Sequence, residues 1–296
     1  MHKTSVQYHQ KNLAWVLLLN LSITVAQIIG GLISGSMALV GDALHNFSDA
    51  GAILLAWVAI RLTEVNATST RTFGFKRAEI IAALINGATL LGISVWLIIE
   101  AIDRWGAVKE IGSDWVISLA VLSIFINGLS AWLLRKGAKT SLNLRAAYIH
   151  LFTDLLTSFA VLAGGLMYKY YHFYWLDPPL TIVIAGYVAW SAVSVLKKSI
   201  SIMMMFAPDH TDTGKIINDI CTLKSIKGIH HVHLWQLNDR QVHFEAHVEF
   251  EANCSLEEAG RVMEQISALL AEKYHIHHTT LQPEYDPPHK RDVIVH

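Results

Sequence analysis

The sequence of 296 residues combines a hydrophobic share of 53% with a charged share of only 16%. This imbalance is too large for a soluble globular domain and indicates a membrane protein, with the lipid bilayer as its surroundings. The formal net charge of −1 at pH 7 leaves no global basic field. We therefore expect no nucleic acid among its partners.

Six apolar segments are long enough to cross about 30 Å of hydrocarbon as helices. Tight turns, polar loops and an aromatic stretch that ends in two prolines separate them. The predicted spans are 13–33, 38–61, 79–101, 115–134, 146–168 and 179–203. The sequence therefore predicts an α-helical membrane protein with six transmembrane helices.

Basic residues are concentrated in alternate loops, and this asymmetry predicts the orientation. The second and fourth loops contain the following basic residues: Arg61, Arg71, Lys76, Arg77, Arg135, Lys136, Lys139 and Arg145. The first, third and fifth loops contain only Arg104, Lys109 and Lys169. By the positive-inside rule, both termini face the cytosol. We expect a multi-pass protein of a bacterial inner membrane.

After Pro208 the composition becomes polar, and the pattern predicts helix, strand, strand, helix, strand. The segment 241–250, "QVHFEAHVEF", alternates apolar and polar residues as a half-buried strand does. Ser255 and Glu258 have the spacing of a capping box and predict a helix start. The predicted organisation is a cytosolic N-terminal segment over 1–12, a transmembrane domain over 13–206, a cytosolic α/β domain over 207–286 and a flexible tail over 287–296.

Two pentapeptides repeat one pattern inside the second and fifth spans: "HNFSD" at 45–49 and "HLFTD" at 150–154. In each, histidine and aspartate are four residues apart and share one helix face. An ionised carboxylate at mid-membrane costs about 3 kcal/mol or more. No Lys or Arg occurs within 38–60 or 146–168. One such pair alone is compatible with a helix–helix hydrogen bond, but the repeat favours neutralisation by protons or a metal cation.

Together these residues offer two imidazoles and two carboxylates, a set that suits tetrahedral zinc. The four candidate ligands are His45, Asp49, His150 and Asp154. With neutral histidines the set carries two negative charges, which either one divalent ion or two protons can cancel. The ordinary imidazole pKa of about 6.5 places this exchange near physiological pH. The pattern predicts that metal moves one way and protons the other.

Several stretches together resemble the cation diffusion facilitator family, over about 13–286. They are "SGSMALVGDALHNFSDAGAILLAWVAIRL", "RTFGFKRAEIIAALING", "NLRAAYIHLFTDLLTSFAVLAGGL", "GIHHVHLWQL" and "HTTLQPE". The resemblance implies a homodimer, not an enzyme, that exports Zn²⁺ from the cytosol in exchange for H⁺ by alternating access. It places the transport site at the four residues above, between the second and fifth helices. Family members with histidine at the position of His45 typically prefer zinc to cadmium.

The C-terminal part resembles the family's metallochaperone-like, ferredoxin-like α/β domain, which dimerises and binds additional zinc. The family's ligand pattern carries over to His230, His247 and Glu284. Zn²⁺ is thus expected both as substrate and as a structural or regulatory ion. Some family members have a histidine where this chain has Leu281. The candidates for compensating ligands are His2, His9, His277 and His278.

The first strand of this domain gives a separate expectation for one ligand. His230 has the same strand parity as Val232 and Leu234. This parity predicts that His230 is partly buried at the start of the strand.

Two other functions compete with zinc export. The first is export of another divalent metal, because the ligand set excludes neither cadmium, cobalt nor iron. The second is a membrane metalloenzyme. Against it, the sequence contains no HExxH and no HxxHH box, and no third ligand pattern leaves a coordination position for water. A metal sensor is hard to reconcile with ligands at mid-membrane.

Overall fold

The computed structural model describes residues 2–63, 65–105, 110–135, 142–209, 211–239, 241–251, 254–286 and 293. The side chains of residues 1–17, of Asp49 and of His150 lie outside this description, as does the predicted tail 287–296 apart from Val293. The chain divides into two compact units. The first comprises 1–58 and 82–196, and the second comprises 59–81 and 197–296.

Six long helices lie at the six predicted spans. They are α1 (His2–Ser34), α2 (Met37–Thr63), α3 (Ala78–Asp103), α4 (Ser113–Leu134), α5 (Leu142–Tyr171) and α6 (Asp177–Met203). Because α1 begins at His2, residues 2–12 of the predicted N-terminal segment are part of this helix. A short 3₁₀ turn, Tyr174–Leu176, precedes α6.

The helices have the composition and the surface of membrane spans. Among the described residues, four stretches are long and apolar enough to cross a bilayer: Ala78–Asp103, Ser113–Leu133, Tyr174–Met203 and Leu151–Tyr171. Leu18–Ser34 is a shorter apolar stretch. Large apolar side chains face outward, such as Phe125 on α4 and Trp190 on α6, which are 66% and 74% exposed. Such a surface is stable in lipid and unfavourable in water.

The interior of the first unit contains small and polar side chains, as is typical of helix contacts in membranes. The hydroxyls of Ser123 on α4 and Ser158 on α5 are 2.8 Å apart and buried. A Cβ atom at Gly165 of α5 would lie 3.0–3.1 Å from Ile117 and Val116 of α4. A larger residue there would require these side chains to shift by a few tenths of an ångström. The contacts hold α5, which carries one of the two histidine–aspartate motifs, closely against α4.

The second unit has the predicted order of elements. They are α7 (Thr213–Cys221), β1 (Ile226–Asn238), β2 (Gln241–Phe250), α8 (Leu256–Tyr274) and β3 (His278–Glu284). The sheet order is β1-β2-β3, with β1 antiparallel and β3 parallel to β2. The apolar residues of β2 pack with both helices in one core, which leaves the other face of the sheet for polar side chains.

The first strand departs from simple alternation at one point. His230 pairs with His247, and three residues later His233 pairs with Glu245. Two residues of β1 therefore lie opposite one residue of β2, which is a β-bulge. His231, inside the bulge, has a φ of +51°. A positive φ is unusual for a residue other than glycine.

The bulge corrects the prediction for His230. Val232 and Leu234 point into the core. His230 lies on the opposite, polar face, because directly paired residues share a face and its partner is His247. The prediction was wrong because a bulge shifts strand parity by one residue. His230 also lies four residues inside the strand and is 1% exposed, so it is fully buried.

The start of α8 confirms the predicted capping box. The Ser255 hydroxyl accepts a hydrogen bond from the Glu258 amide at 3.3 Å, and the Ser255 amide donates to the Glu258 carboxylate at 2.9 Å. The amide and hydroxyl of Ser255 lower the pKa of the Glu258 carboxyl. This reciprocal pair satisfies two amides that have no acceptor within the helix.

We expect Ser255→Ala to weaken the first turn of α8 by about 1 kcal/mol, because the helix loses its cap. The amides of that turn should exchange with deuterium about fivefold faster in the full-length protein. Glu257→Ala is the matched control, since Glu257 lies in the same turn and is 85% exposed. Equal exchange in the Ser255 variant and the parent would contradict the assignment.

Candidate metal centres

The first candidate centre lies between α2 and α5. His45 Nε2 of α2 is 3.8 Å from Asp154 Oδ1 of α5, and their side chains are 8% and 3% exposed. Asp49 and His150 belong to the same two helices, one turn from His45 and Asp154. The structure thus brings two of the four predicted ligands together and gives the helix positions of the other two.

Two neighbouring helices, α1 and α6, contact α2 at His45 and the residues beside it. Gln27 of α1 donates from Nε2 to Asp42 Oδ2 at 2.7 Å and accepts from Asn46 Nδ2 at 3.3 Å. The ring of Tyr187 on α6 meets the His45 imidazole edge to face, with centroids 6.2 Å apart. These contacts fix the rotation of α2, so that His45 faces Asp154.

Asp42 is a residue whose role the sequence did not reveal. It precedes His45 by three residues, lies on the same face of α2 and is 1% exposed. The signal was the spacing of Asp42, His45 and Asp49, which puts three polar residues along one stripe of an apolar helix. Its hydrogen bond with Gln27 indicates a part in helix positioning.

The first centre is electrostatically suited to a cation. Asp42 and Asp154 are both buried, and the buried polar side chains among the described residues include no Lys or Arg. Imidazole nitrogen and carboxylate oxygen are both ligands of divalent transition metals. A cation that enters here meets surplus negative charge in a water-poor interior.

The second candidate centre lies on the polar face of the sheet. His230, His247 and Glu284 place one ligand atom each within 4.8 Å of one another. His230 Nε2 is 3.0 Å from Glu284 Oε2, and His247 Nδ1 is 2.8 Å from Glu284 Oε1. One carboxylate thus joins two imidazoles from adjacent strands. The structure brings all three predicted residues of this domain together.

Two further histidines surround this centre. The ring of His231 stacks on His247 with centroids 4.6 Å apart, and it meets His233 edge to face at 4.9 Å. The bulge therefore places His231 and His233 beside the two imidazoles that contact Glu284. The sequence "HHVH" contained this signal, but the alternation of a regular strand would place His230 and His233 on opposite faces.

Of the extra ligands suggested by the sequence, the described His277 and His278 do not join the trio. His278 stacks on His243 at 4.7 Å, at the opposite end of β3 from Glu284, and His277 is exposed. The side chains of His2 and His9 lie outside the described residues. Within the described part of the chain, no fourth histidine, cysteine or acid completes the trio.

His243 belongs to a separate stack. Its ring also lies on Trp235, with centroids 4.3 Å apart. Burial lowers the pKa of His243, and the nearby His278 and Lys76 lower it further against the opposing effect of Glu245. The lowered pKa favours a neutral imidazole, which stacks on its neighbours without charge repulsion.

Comparison with known families finds matches to both parts of the chain. The family model described as "Cation efflux transmembrane domain" matches residues 13–204, and "Cation efflux protein, cytoplasmic domain" matches residues 208–286. The chain belongs to the cation diffusion facilitator family. This cation diffusion facilitator is an integral, multi-pass membrane protein that exports divalent metal cations and is not an enzyme. The predicted family and fold class are confirmed.

Curated relatives match almost the whole facilitator chain. The "Cadmium, cobalt and zinc/H(+)-K(+) antiporter" of Bacillus subtilis is 32% identical, and the aligned region covers 92% of this chain and 88% of the relative's chain. The "Metal cation efflux system protein CzcD" of Cupriavidus metallidurans is 30% identical over 97% of this chain and 90% of its own. The "Zinc transporter ZitB" of Escherichia coli is 31% identical over 90% and 85%, respectively.

A solved structure of the metal-bound C-terminal domain of the CzcD transporter is also similar to part of the facilitator. It is 26% identical, covers 25% of this chain and 99% of that chain, and has a TM-score of 0.23. A score this low supports no structural argument.

If the trio holds an ion, zinc should stabilise β1 and β3, by about 2.7 kcal/mol at a hundredfold excess over Kd. We expect His247→Ala to abolish this effect, because only two of the three ligands remain. Deuterium exchange of peptides from 226–238 and 278–284, with zinc or with a chelator, measures it in the full-length protein. His277→Ala is the control and should behave as the parent; zinc protection that persists without His247 would contradict the prediction.

Proposed function

We propose that this facilitator is a Zn²⁺/H⁺ antiporter that exports zinc from the cytosol. Its transport site comprises His45, Asp49, His150 and Asp154. The observation that carries the proposal is the buried contact of His45 with Asp154 across α2 and α5. In a cation efflux protein, a nitrogen and an oxygen ligand from different helices are what a movable ion site requires.

The distance between these two atoms supports an ion of the size of zinc. With bonds of about 2.0–2.1 Å, two ligand atoms of a tetrahedral zinc site lie about 3.3 Å apart. His45 Nε2 and Asp154 Oδ1 are 3.8 Å apart. A shift of about 0.5 Å would bring them to that separation, which is within the range of side-chain adjustments.

Charge balance supports the exchange with protons. Two carboxylates and two neutral imidazoles carry two negative charges, which one Zn²⁺ cancels. Two protons on the histidines cancel the same charge. Both together would leave two positive charges in a low-dielectric interior, which is strongly unfavourable. The site therefore holds either the metal or the protons, and alternating access converts this exclusion into antiport.

The choice of zinc rests on the ligands and on the relatives. Imidazole nitrogens suit zinc among the divalent cations. The Escherichia coli relative is named a zinc transporter, and the Bacillus subtilis relative is named for cadmium, cobalt and zinc. That second name favours export of cadmium or cobalt as the competing function. The same charge balance applies to each of these ions.

We further infer that Zn²⁺ also occupies the trio of His230, His247 and Glu284 as a regulatory ion. The domain 207–286 forms a homodimer in this proposal, supported by its resemblance to the family's dimerising domain. Both termini face the cytosol of a bacterium and the span 13–206 lies in its inner membrane, supported by the positive-inside pattern and by bacterial relatives.

Asp154→Asn should lower the apparent zinc affinity of transport by about 100-fold or more, because removing one partner of a buried charge pair costs about 3–5 kcal/mol. Zinc uptake into proteoliposomes under an imposed pH gradient measures the loss. Asp114→Asn is the matched control, since Asp114 is 80% exposed and pairs with Lys169. Transport by the Asp154 variant at the parental rate would exclude the proposed site.

His45→Asp should raise the ratio of cadmium to zinc transport several-fold. A carboxylate accommodates the larger ion without the fixed direction of an imidazole nitrogen. Parallel uptake assays with the two metals give the ratio. His172→Asp, which changes an exposed histidine, is the control and should keep the parental ratio. An unchanged ratio in the His45 variant would count against this explanation of selectivity.

A further inference from the structure

At one end of the six-helix unit, the tight turn between α1 and α2 contacts the residues that border other helices. Gly35, with a φ of +75°, reverses the chain there. The Gly112 amide before α4 donates to the Ser34 carbonyl at 2.9 Å. Arg104 after α3 donates from Nη1 to the Gly35 carbonyl at 3.1 Å. Both α3 and α4 are therefore tied to this turn.

A buried carboxylate makes the third connection. Asp177, the first residue of α6, is 3% exposed. It accepts hydrogen bonds from the Ser36 hydroxyl at 2.6 Å, the Met37 amide at 2.9 Å and the Tyr168 hydroxyl at 3.1 Å. Tyr168 belongs to α5, Met37 is the first residue of α2 and Ser36 directly precedes it. We name this group of four residues the latch.

The latch is a helix cap supplied from a distant part of the chain. The Met37 amide is in the first turn of α2, where amides have no acceptor within the helix. A carboxylate at this end is also favoured by the helix dipole. Ser36, which precedes α2, is a residue type that can cap a helix locally. The acceptor of the Met37 amide is nevertheless the carboxylate of Asp177, 140 positions further along the chain. One side chain thus binds α2 to α5 and α6 together.

The latch lies at one end of the contact of α2 with α5 and α6, which contains His45 and Asp154. We call this contact the seam. Met37 precedes His45 by eight residues, which is about 12 Å along the helix. Between them lies a layer of buried apolar side chains that includes Leu39, Val161 and Ile184. This layer excludes water, so an ion at His45 reaches this end only if α2 separates from α5 and α6.

We propose that Asp177 is a positioning residue that holds this end of the seam closed and releases it during transport. The inference rests on the proposed function, which makes this the non-cytosolic end through which zinc leaves. Hydrogen bonds suit a reversible contact, because water can replace each donor once the end opens. Loss of the acceptor should therefore shift the protein toward the state that is open on this side.

Accessibility of a buried cysteine tests the proposal directly. The chain contains only Cys221 and Cys254, both after the last span, and serine can replace them. Val161→Cys then places a reporter in the buried layer itself, on α5 midway between Asp154 and the latch residue Tyr168. A charged, membrane-impermeant thiol reagent is added from the non-cytosolic side, with a chelator present to remove metal.

We expect Asp177→Asn to accelerate labelling by about tenfold or more, as the open state becomes correspondingly more populated. In asparagine an NH₂ group replaces one of the two oxygens, so it faces either the Met37 amide or the Ser36 and Tyr168 hydroxyls and cannot accept from that side. Tyr168→Phe and Ser36→Ala each remove one donor and should give smaller increases. These two milder variants keep the test decisive if Asp177→Asn does not fold.

Asp114→Asn is the matched control, because it removes an exposed carboxylate at the same end of the bundle. Its labelling rate should equal that of the parent. Parental labelling in both the Asp177 and the Tyr168 variants would overturn the proposal. An equal increase from the cytosolic side would also overturn it, since that result indicates general loosening of the bundle.

The assay involves no metal flux, so it separates the two proposals. A parent that carries no zinc would refute the proposed function, whereas faster labelling of the Asp177 variant would still establish the latch. A zinc antiporter with unaltered labelling would refute the latch alone.

Discussion

Carboxylates buried among side chains that, where described, include no lysine or arginine are the constraint from which the function of this membrane unit follows. Asp42 and Asp154 lie inside a bundle whose described buried side chains include no lysine or arginine. An ionised carboxylate in such a place is costly unless a cation, a proton or several donors neutralise it. Asp154 lies beside His45, where we propose that a metal ion and protons alternate, whereas Asp42 accepts a hydrogen bond from Gln27. Similar acids thus have different roles because their neighbours differ.

Asp177 illustrates a third way to stabilise a buried acid. Its carboxylate accepts from two hydroxyls and a helix-terminal amide, so that donors rather than a cation surround the charge. This arrangement suits a contact between helices. Because the three donors already stabilise the negative charge, the carboxylate does not require a bound cation. In the proposed function the three acids therefore have three roles: Asp154 belongs to the ion site, Asp42 supports its ligands and Asp177 connects the helices at one end.

In the soluble unit, too, neighbouring side chains stabilise a carboxylate, but here they belong to the strands of a sheet. Glu284 lies between two imidazoles, and each of its oxygens faces one of them. The three ligands come from three strands, so the site exists only when the whole sheet has formed. The bulge in β1 is what permits it, because the extra residue puts His230 on the polar face while Val232 remains in the core. Backbone irregularity here decides which side chains meet.

The sequence by itself determined the six helices, the order of elements in the soluble unit and the capping box of α8. Each depends on local periodicity or on residues within one turn, which a linear pattern displays directly. The spacing of His45 to Asp49 and of His150 to Asp154 likewise predicted a shared helix face. Only the tertiary structure decided that His45 meets Asp154, that His230 lies on the polar face of the sheet and not in the core, and that Asp177 caps α2. These depend on helix rotation, on a bulge and on a contact across 140 residues, none of which leaves a periodic trace in the chain.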